Sequence, residues 1–282
     1  MIRSLISGIS GMQTFQEKMD VLGNNIANAG TVGYKAARTD FADTFNVSLR
    51  LATGGAAATS GGQLGSGVTT DSIKNIFTQG ALYRTSLKTD MGINGDGFFL
   101  VRDTITNETF ATRAGSFHLD TSGYLINNSG LRVQGYNNAA LTTVGDIKID
   151  LVGATPTPAA GAVVKDWAVG SDGKILVSAT DSAVPSFIRG QILLQNFTDP
   201  TALTKEGGNT YSNLAAAGPL TTPGAPSSSG LGAIQSGVLE NSNVDIAEQF
   251  TNLITTQRGY QASAKIITTS DEMLQEALNL KR

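Results

Sequence analysis

Two stripes of apolar residues, one near each end of this 282-residue chain, place the strongest constraint on how it folds. Near the amino terminus apolar side chains recur every seven residues, and further apolar residues fill the turns between them. A repeat of this kind puts all of these side chains on one face of an α-helix. The amino-terminal stripe consists of Leu5, Ile9, Met12, Phe15, Met19, Leu22 and Ile26.

The carboxyl-terminal stripe follows the same seven-residue rule over a longer segment. Its members are Ile246, Phe250, Leu253, Tyr260, Ala264, Ile267, Leu274 and Leu278, and Gln257 and Asp271 interrupt its second row. Ser242 followed three residues later by Asp245 resembles a capping box, in which side chains accept hydrogen bonds from the free N–H groups at a helix start. We therefore predict a helix that begins near Asn243 and ends at about Leu280.

The amino-terminal helix is expected to be weak without a partner. Gly8, Gly11 and Gly23 each cost it about 1 kcal/mol relative to alanine. The stop signals that follow are Asn24, Asn25, Asn28 and Gly30. An amphipathic helix ordinarily packs on its own domain. Because both stripes lie at the chain ends and flank a middle of a different kind, we predict that they pack with each other and with neighbouring copies.

The middle of the chain has the pattern of a β-domain. Short apolar runs such as 97–101, 109–113 and 192–197 are separated by glycine, asparagine and aspartate, with tight turns at Gly123 and Gly173. Residues 52–67 are rich in Gly, Ala and Ser, and residues 215–232 contain three prolines, so both segments are predicted to be linkers.

We therefore predict an α+β fold, in which the terminal helices pair as an antiparallel or coiled-coil inner domain and the middle forms a mainly β domain. The predicted division is 1–67 for the amino-terminal helix with its linker, 68–232 for the β-rich outer domain, and 233–282 for the carboxyl-terminal helix.

The sequence offers little equipment for catalysis. Cysteine is absent, which excludes thiol nucleophiles, thiolate metal sites and disulfides, and the single histidine, His118, lies in a strand-like segment. The glycine-rich segment 92–97 lacks the lysine of a P-loop and precedes a strand pattern, so it predicts a tight turn. Trp167 is expected to be a core residue. We expect no cofactor, no bound metal and no enzymatic activity.

Charge and hydropathy exclude two further classes of partner. The net charge is −3 and basic residues are scattered, which argues against nucleic acid. No segment approaches the roughly 18 apolar residues of a membrane span, so we expect no membrane insertion. The amino-terminal residues have neither an uninterrupted apolar run nor a small-residue cleavage site, so we expect that any export proceeds without a cleaved signal peptide.

Motifs along the chain occur in an order typical of one bacterial family. They are Asp20-Val-Leu-Gly-Asn-Asn-Ile-Ala-Asn28, Gly33-Tyr-Lys35, Phe41-Ala-Asp43, Ile93-Asn-Gly-Asp-Gly-Phe-Phe99, Thr112-Arg-Ala-Gly-Ser-Phe117, Glu240-Asn-Ser-Asn-Val-Asp245, Gln257-Arg-Gly-Tyr-Gln261 and Ser270-Asp-Glu-Met-Leu274. Together they resemble the signatures of the flagellar axial proteins, the subunits of the rod and hook. The motif positions taken as family residues are Asn24, Asn25, Asn28, Gly33, Asn243, Asp245, Gln257 and Arg258.

The resemblance implies a structural function in the bacterial flagellum, at the hook or the basal body. Members of this family are exported by the flagellar type III apparatus and polymerise into a helical tube that carries motor torque. Their terminal helices form a coiled coil that lines the inner tube, and a β-rich domain lies outside it. The implied partners are further copies of the chain, other rod, hook and junction proteins, a hook or rod cap protein, and the export apparatus.

The position along the flagellar axis is open between two alternatives. Residues 41–45, 75–80 and 190–197 look more like a hook protein, whereas the chain length is close to that of the distal rod protein. We favour a short hook protein and keep the distal rod protein as the alternative. A hypothesis of another class is a secreted carbohydrate-binding β-module with helical oligomerisation ends.

Overall fold

A computed structural model describes residues 2–50, 61–153, 162–180, 186–220 and 222–280. The chain forms two compact units. The helical unit comprises Met1–Ala29, Ala36–Ile76 and Val244–Arg282, and the β-unit comprises Gly30–Lys35 and Phe77–Asn243.

The helical unit contains two long helices and four strands in its described part. These are α1 (Ile2–Ala27), β1 (Ala37–Asp43), β2 (Asn46–Arg50), β3 (Gly62–Gly65), β4 (Val68–Asn75) and α2 (Ile246–Asn279). The helices run antiparallel, because Gly8 near the start of α1 lies against Ile267 in α2, whereas Asn25 near its end bonds to Gln249. The predicted antiparallel pairing of the terminal helices is confirmed.

The strands of the helical unit form one long antiparallel ribbon. β1 pairs with β4 from Ala37↔Asn75 to Asp43↔Val68, and β2 pairs with β3 from Asn46↔Gly65 onward. Thr44 joins the two halves, since its N–H and its hydroxyl both donate to the carbonyl of Gly67. Of the predicted linker 52–67, residues 52–60 lie outside the described residues, and the remainder contains strand β3 rather than free chain.

The β-unit is built around a large antiparallel sheet. Its main path runs in the order β13-β14-β15-β11-β7-β8-β18-β17, and two short pairs, β19 with β6 and β20 with β5, lie outside it. The strands of this unit are β5 (Leu82–Arg84), β6 (Met91–Asn94), β7 (Phe98–Arg102), β8 (Thr109–Thr112), β9 (Phe117–Leu119), β10 (Leu125–Asn127), β11 (Arg132–Tyr136), β12 (Val144–Asp146), β13 (Val164–Val169), β14 (Lys174–Ala179), β15 (Phe187–Ile192), β16 (Leu194–Gln195), β17 (Thr204–Gly207), β18 (Thr210–Ser212), β19 (Ala233–Ser236) and β20 (Val238–Glu240). The predicted β-rich middle is therefore confirmed.

Apolar side chains from these strands fill the interior of the β-unit. Phe99, Val101, Leu125 and Val133 are almost completely buried, and Trp167 packs against the same core as predicted. The tight turns predicted from glycine are present as well, because Gly95, Gly97, Gly123 and Gly173 all have positive φ angles. Positive φ is a conformation that glycine adopts without steric cost.

Two sequence expectations differ from the structure. The described residues of 215–232 are not a free linker: Leu194 and Gly224 exchange backbone hydrogen bonds, and Ala217 and Leu231 are buried. Proline and glycine are common in packed turns too, so this composition does not distinguish a linker from a packed turn, and the prediction of a linker at 215–232 was wrong for its described residues. α2 begins at Ile246 rather than near Asn243, because Asp245 caps it by accepting hydrogen bonds from Ala247 N–H and Glu248 N–H.

The boundaries of the compact units also lie elsewhere than the predicted division. β4 follows residue 68 but belongs to the helical unit, since it pairs along its whole length with β1. β19 and β20 follow residue 233 but belong to the β-unit, where they pair with β6 and β5. Strand pairing between residues far apart in sequence sets both boundaries. No helix in the described part of the chain has the length and hydropathy to cross a membrane.

Candidate assembly site

The two terminal helices meet through small side chains. A Cβ added to Gly8 would lie 3.1 Å from Ile267 Cγ1, and one added to Gly11 would lie 3.1 Å from Ser263 Oγ. On α2 the buried residues are Thr256, Ser263 and Ser270, spaced by seven, and Gly259 faces the ring of Phe15. The glycines that weaken α1 as an isolated helix therefore allow the two backbones to approach closely.

The predicted apolar stripes flank this small-residue seam. Leu22 is buried, and the predicted residues that are half-buried are Leu5, Met12, Phe15, Met19, Ile26, Leu253, Tyr260, Ala264, Ile267 and Leu274. The exposed ones are Ile9, Ile246, Phe250 and Leu278, with exposed fractions between 44% and 68%. That these residues pack against neighbouring subunits stays a prediction.

The structure adds exposed apolar residues that the seven-residue pattern did not include. Ile254 is 57% exposed and extends Ile246 and Phe250 at four-residue spacing, so these three form one stripe, called here the outer stripe of α2. Ile266 and Met273, seven residues apart, are half-exposed on another flank of the same helix. In the described helical unit these side chains remain open to solvent, which makes them candidates for contact with another copy.

Asn25 of the amino-terminal motif holds three elements of the helical unit together. The residue is buried, with only 1% of its surface exposed. Its Nδ2 donates to Ala37 O at 2.8 Å and to Gln249 Oε1 at 3.1 Å, and its Oδ1 accepts from Ala37 N at 3.0 Å. The side-chain amide of Asn25 thus both donates to and accepts from the backbone of β1, as a neighbouring strand would. It also bonds to a side chain of α2.

In the β-unit, residues from three of the quoted motifs form a buried ionic cluster. Lys35 Nζ lies 2.6 Å from Glu240 Oε1, and Arg113 Nη1 lies 3.3 Å from Glu240 Oε2. The side chains of Lys35 and Glu240 are both 0% exposed, and that of Arg113 is 3% exposed. Gly80 N–H donates to Glu240 Oε1, and Lys35 Nζ also donates to Thr78 O.

The single carboxylate of Glu240 serves two buried cations. Burial lowers the pKa of Lys35 below its ordinary value, while the negative charge of Glu240 opposes this effect. Arg113 is also stacked 5.2 Å from the centre of the Phe98 ring, which gives its guanidinium a second favourable contact. A buried ion cluster of this kind is sensitive to the loss of either sign of charge.

Gly33 completes the junction around Glu240. Its N–H donates to the backbone carbonyl of Glu240 at 2.8 Å, and its φ is +69°. A Cβ at this position would lie 2.6 Å from Ala114 N, so both the conformation and the space require glycine. The short stretch Gly30–Lys35 is thereby bonded to the segment with which the β-unit ends.

The remaining motif residues have distinct positions. Asn28 Nδ2 donates to the carbonyl and the side chain of Asn24 at the end of α1, and Asn243 Nδ2 donates to Thr78 Oγ1 at 2.9 Å. Asp245 is the cap of α2. Gln257 and Arg258 are exposed on α2. The structure therefore brings Gly33 to the Glu240 cluster and Asn25 to the helix pair, but leaves Gln257 and Arg258 at the surface.

Sequence reasoning missed two features of this site. Lys35, Arg113 and Glu240 each belong to a quoted motif, yet Lys35 and Glu240 are 205 residues apart and no local pattern links them. The small-residue seam did carry a signal, because Thr256, Ser263 and Ser270 repeat every seven residues beside the apolar stripe. In the described part of the chain no group of His, Cys, Asp and Glu is arranged to hold a metal ion.

Three family models match the chain in consecutive order. Residues 5–35 match the flagella basal body rod protein, residues 92–177 match the flagellar hook protein FlgE/F/G D1 domain, and residues 235–280 match the flagellar basal body rod FlgEFG protein C-terminal region. The first match covers most of α1, the last covers β20 and all of α2, and the middle match covers the β-unit from β6 to β14.

Curated relatives extend this similarity over the full length. The flagellar basal-body rod protein FlgG of Bacillus subtilis is 44% identical over 287 residues, covering 100% of both chains. FlgG of Buchnera aphidicola subsp. Schizaphis graminum is 36% identical, covering 99% of this chain, and the flagellar hook protein FlgE of Borreliella burgdorferi is 29% identical. A Helicobacter pylori FlgE2 crystal structure aligns with a TM-score of only 0.22 at 13% identity, covering 65% of this chain and 47% of that one, which carries no weight. The chain belongs to the family of flagellar rod and hook proteins, the structural subunits of the flagellar axis.

Proposed function

We propose that the chain is a subunit of the distal rod, which polymerises with copies of itself and joins other axial proteins. The observation that carries this proposal is the full-length similarity to rod proteins at 44% and 36% identity. The similarity to the hook protein runs over an alignment of 445 residues, much longer than this chain of 282. The motifs at residues 41–45, 75–80 and 190–197 favour a hook protein. Similarity to rod proteins of the same length outweighs them and favours the rod.

The ribbon of the helical unit supports the same choice. A bendable hook would benefit from a loose segment near residues 52–67, whereas a stiff rod needs that segment ordered by packing. The described end of the segment is strand β3, and Val68 N–H beside it donates to Ser10 Oγ in α1. Thr70 Oγ1 donates to Glu17, also in α1. The ribbon is therefore held along α1 at two points.

Assembly would bury the apolar side chains that the single chain leaves exposed. Burial contributes about 25 cal/mol per Å² of apolar surface. The outer stripe of α2, with Ile246, Phe250 and Ile254 each about half-exposed, offers such surface on a rigid helix. We propose that this stripe contacts neighbouring copies. We also propose that the chain is exported without signal cleavage and assembles with a cap protein and junction proteins, as the family resemblance implies.

Replacing Ile254 with aspartate is the direct test of the outer stripe. We expect the critical concentration for polymerisation of the purified full chain to rise by at least about tenfold, because burial of an isoleucine contributes roughly 1.5–3 kcal/mol and a buried charge adds to the loss. Sedimentation and negative-stain electron microscopy measure the polymer. Leu253 and Ile267 are half-buried, so aspartate at either position would also disturb folding. Ile254 is exposed, so its substitution tests assembly with less effect on the fold.

Two matched variants interpret that result. Ile105 in the β-unit is 88% exposed, so Ile105→Asp is expected to leave polymerisation unchanged. Ile254→Leu keeps the apolar contact and is expected to assemble normally. Normal polymers from Ile254→Asp would refute the role of the outer stripe.

Rod and hook are distinguished by location. Chain carrying a small epitope tag is expected to label the straight part of isolated basal bodies in immunoelectron microscopy. If the antibody label were confined to a curved segment outside the envelope, the chain would be a hook protein and the rod proposal would be overturned.

A further inference from the structure

Phe45 is an exposed aromatic residue for which the described helical unit supplies no cover. It lies between β1 and β2, and 93% of its surface is accessible to solvent. Aromatic side chains contribute strongly to interfaces because they bury large areas with few rotatable bonds. If another molecule covered the Phe45 ring, its apolar surface would be removed from water, which would stabilise the complex.

The backbone around Phe45 is held in place. Thr44 donates both its N–H and its hydroxyl to Gly67 O at 3.0 Å, and Asn46 Nδ2 donates to Asp43 Oδ2 at 3.1 Å. Val68, next to Gly67, is bonded to Ser10 of α1. Because the chain on both sides of Phe45 is already ordered, binding through this side chain requires little further loss of backbone entropy.

The same helical unit contains a cavity of a size that suits a phenyl ring. Its volume is about 200 Å³, and it is lined by residues of α1, β1, α2 and Ile76. Val21, Leu22, Ala36 and Ile76 supply apolar walls. For comparison, an apolar protein cavity of about 150 Å³ accommodates benzene.

Phe45 cannot fill the cavity of its own chain. Thr39, which lines the cavity, and Phe45 are six residues apart on one ribbon, and an extended strand rises by about 3.3 Å per residue, which separates them by roughly 20 Å. Pairing with β4 continues to Asp43, with one register shift between Asp40 and Phe41, and Thr44 continues the contact through its bond to Gly67, so the chain leads away from the cavity towards Phe45. We infer that Phe45 of one copy inserts into the cavity between α1, β1 and α2 of a second copy.

Charges beside the two features are complementary. Lys18 lines the cavity, and among the described residues no carboxylate lies within 4 Å of its Nζ. Asp43 is exposed two residues before Phe45, and no cation of the described chain lies within that distance of its carboxylate. Arg38 also lines the cavity but is bonded to Asp40 at 2.9 Å, and Glu248 is the one carboxylate in the lining. Lys18 Nζ lies 5.7 Å from the centre of the Phe41 ring of its own chain and has no carboxylate partner among the described residues there, so insertion of Phe45 would bring it the carboxylate of Asp43 from the second copy.

This contact joins two different patches of the same chain, so it is heterologous. Repetition of a heterologous contact that does not close into a ring produces a helical polymer. The inference rests on the proposed self-assembly and adds to it a specific contact, in which a side chain on the ribbon of one subunit occupies the helical unit of the next.

Cysteine cross-linking tests the contact directly, because the natural chain has no cysteine. Full-length Phe45→Cys and Val21→Cys chains are mixed under conditions in which the wild-type chain polymerises and are then oxidised. We expect disulfide-linked dimers that contain one chain of each kind, because a disulfide requires Cα atoms within about 7 Å. The matched control pairs Phe45→Cys with Ile105→Cys, for which we expect no enrichment of dimers.

Variants of charge and ring test the same contact by its energy. Phe45→Ala is expected to raise the critical concentration by about tenfold or more. Lys18→Glu and Asp43→Lys are each expected to weaken assembly, and the double variant is expected to recover it in part. The inference would be overturned if the wild-type chain polymerised, Phe45→Ala assembled equally well and the specific cross-link did not form. That outcome would leave the distal-rod proposal intact. A wild-type chain that fails to polymerise would instead refute the proposed function.

Discussion

Replacing Glu240 with alanine is expected to destabilise the β-unit by about 3–5 kcal/mol, the range found when one partner of a buried ion pair is removed. The change leaves Lys35 and Arg113 as two buried cations without their shared carboxylate. It also removes the acceptor of the Gly80 N–H group. Most domains have a total stability of about 5–15 kcal/mol, so this single change takes away a large part of it.

Trp167 provides the measurement. It is the one tryptophan of the chain and lies in β13 of the β-unit, so its fluorescence during urea denaturation reports on that unit. Glu240→Gln keeps an acceptor oxygen but not the charge, and is expected to lose less than the alanine variant. Glu206→Ala removes an exposed carboxylate and is expected to change stability by about 0.5 kcal/mol or less. A Glu240→Ala chain as stable as the Glu206→Ala control would contradict the assignment of the cluster.

A compensating substitution sharpens this test. If the cost arises from uncompensated positive charge, Lys35→Met in the Glu240→Ala background is expected to recover part of the lost stability. If it arises only from an empty space left by the smaller side chain, the added methionine is expected to give no recovery.

Replacing Asn25 with alanine is expected to destabilise the helical unit by about 1–3 kcal/mol for each buried backbone group that loses its partner. The groups in question are the N–H and the carbonyl of Ala37, both bonded to the Asn25 side chain. Gln249 Oε1 loses a donor as well. The effect should appear as a lower melting temperature of the helices in far-ultraviolet circular dichroism.

Hydrogen exchange at Ala37 gives a more specific readout. The wild-type Ala37 amide is expected to exchange slowly, and Asn25→Ala is expected to remove this protection. Asn25→Asp retains an oxygen that accepts from Ala37 N–H but cannot donate to its carbonyl, so it should preserve part of the protection. Asn24→Ala, at the neighbouring exposed position, should leave Ala37 unaffected. Equal exchange rates in wild type and Asn25→Ala would show that the amide does not hold β1.

The architecture was largely predictable because its signals are local. Seven-residue periodicity marked α1 and α2, and glycine-bounded apolar runs marked strands such as β7, which was expected at 97–101 and occurs at Phe98–Arg102. The cap of α2 was misplaced by three residues because Ser242 and Asp245 are both good capping residues, and only the backbone conformation chooses between them.

The site was less predictable because its contacts join distant segments. The apolar stripes identified which helices would pair, but not that Gly8, Gly11 and Ser263 would form the seam and leave Ile246 and Phe250 exposed. Likewise, nothing in the sequence around Lys35 indicates that its counter-ion is Glu240. The hook and rod alternatives share the same motifs, so full-length similarity was needed to favour the rod.

The bond between Gly33 and Glu240 has a mechanical consequence. Gly30–Lys35 is joined to both ends of the long part of the β-unit, Phe77–Asn243. Gly33 N–H donates to the Glu240 carbonyl, and Lys35 Nζ donates to Thr78 O and pairs with the Glu240 carboxylate. A tensile force applied to these segments is expected to load that junction and the neighbouring β5–β20 pair before the ladders of the main sheet. The strands of the main sheet would then carry little of that force.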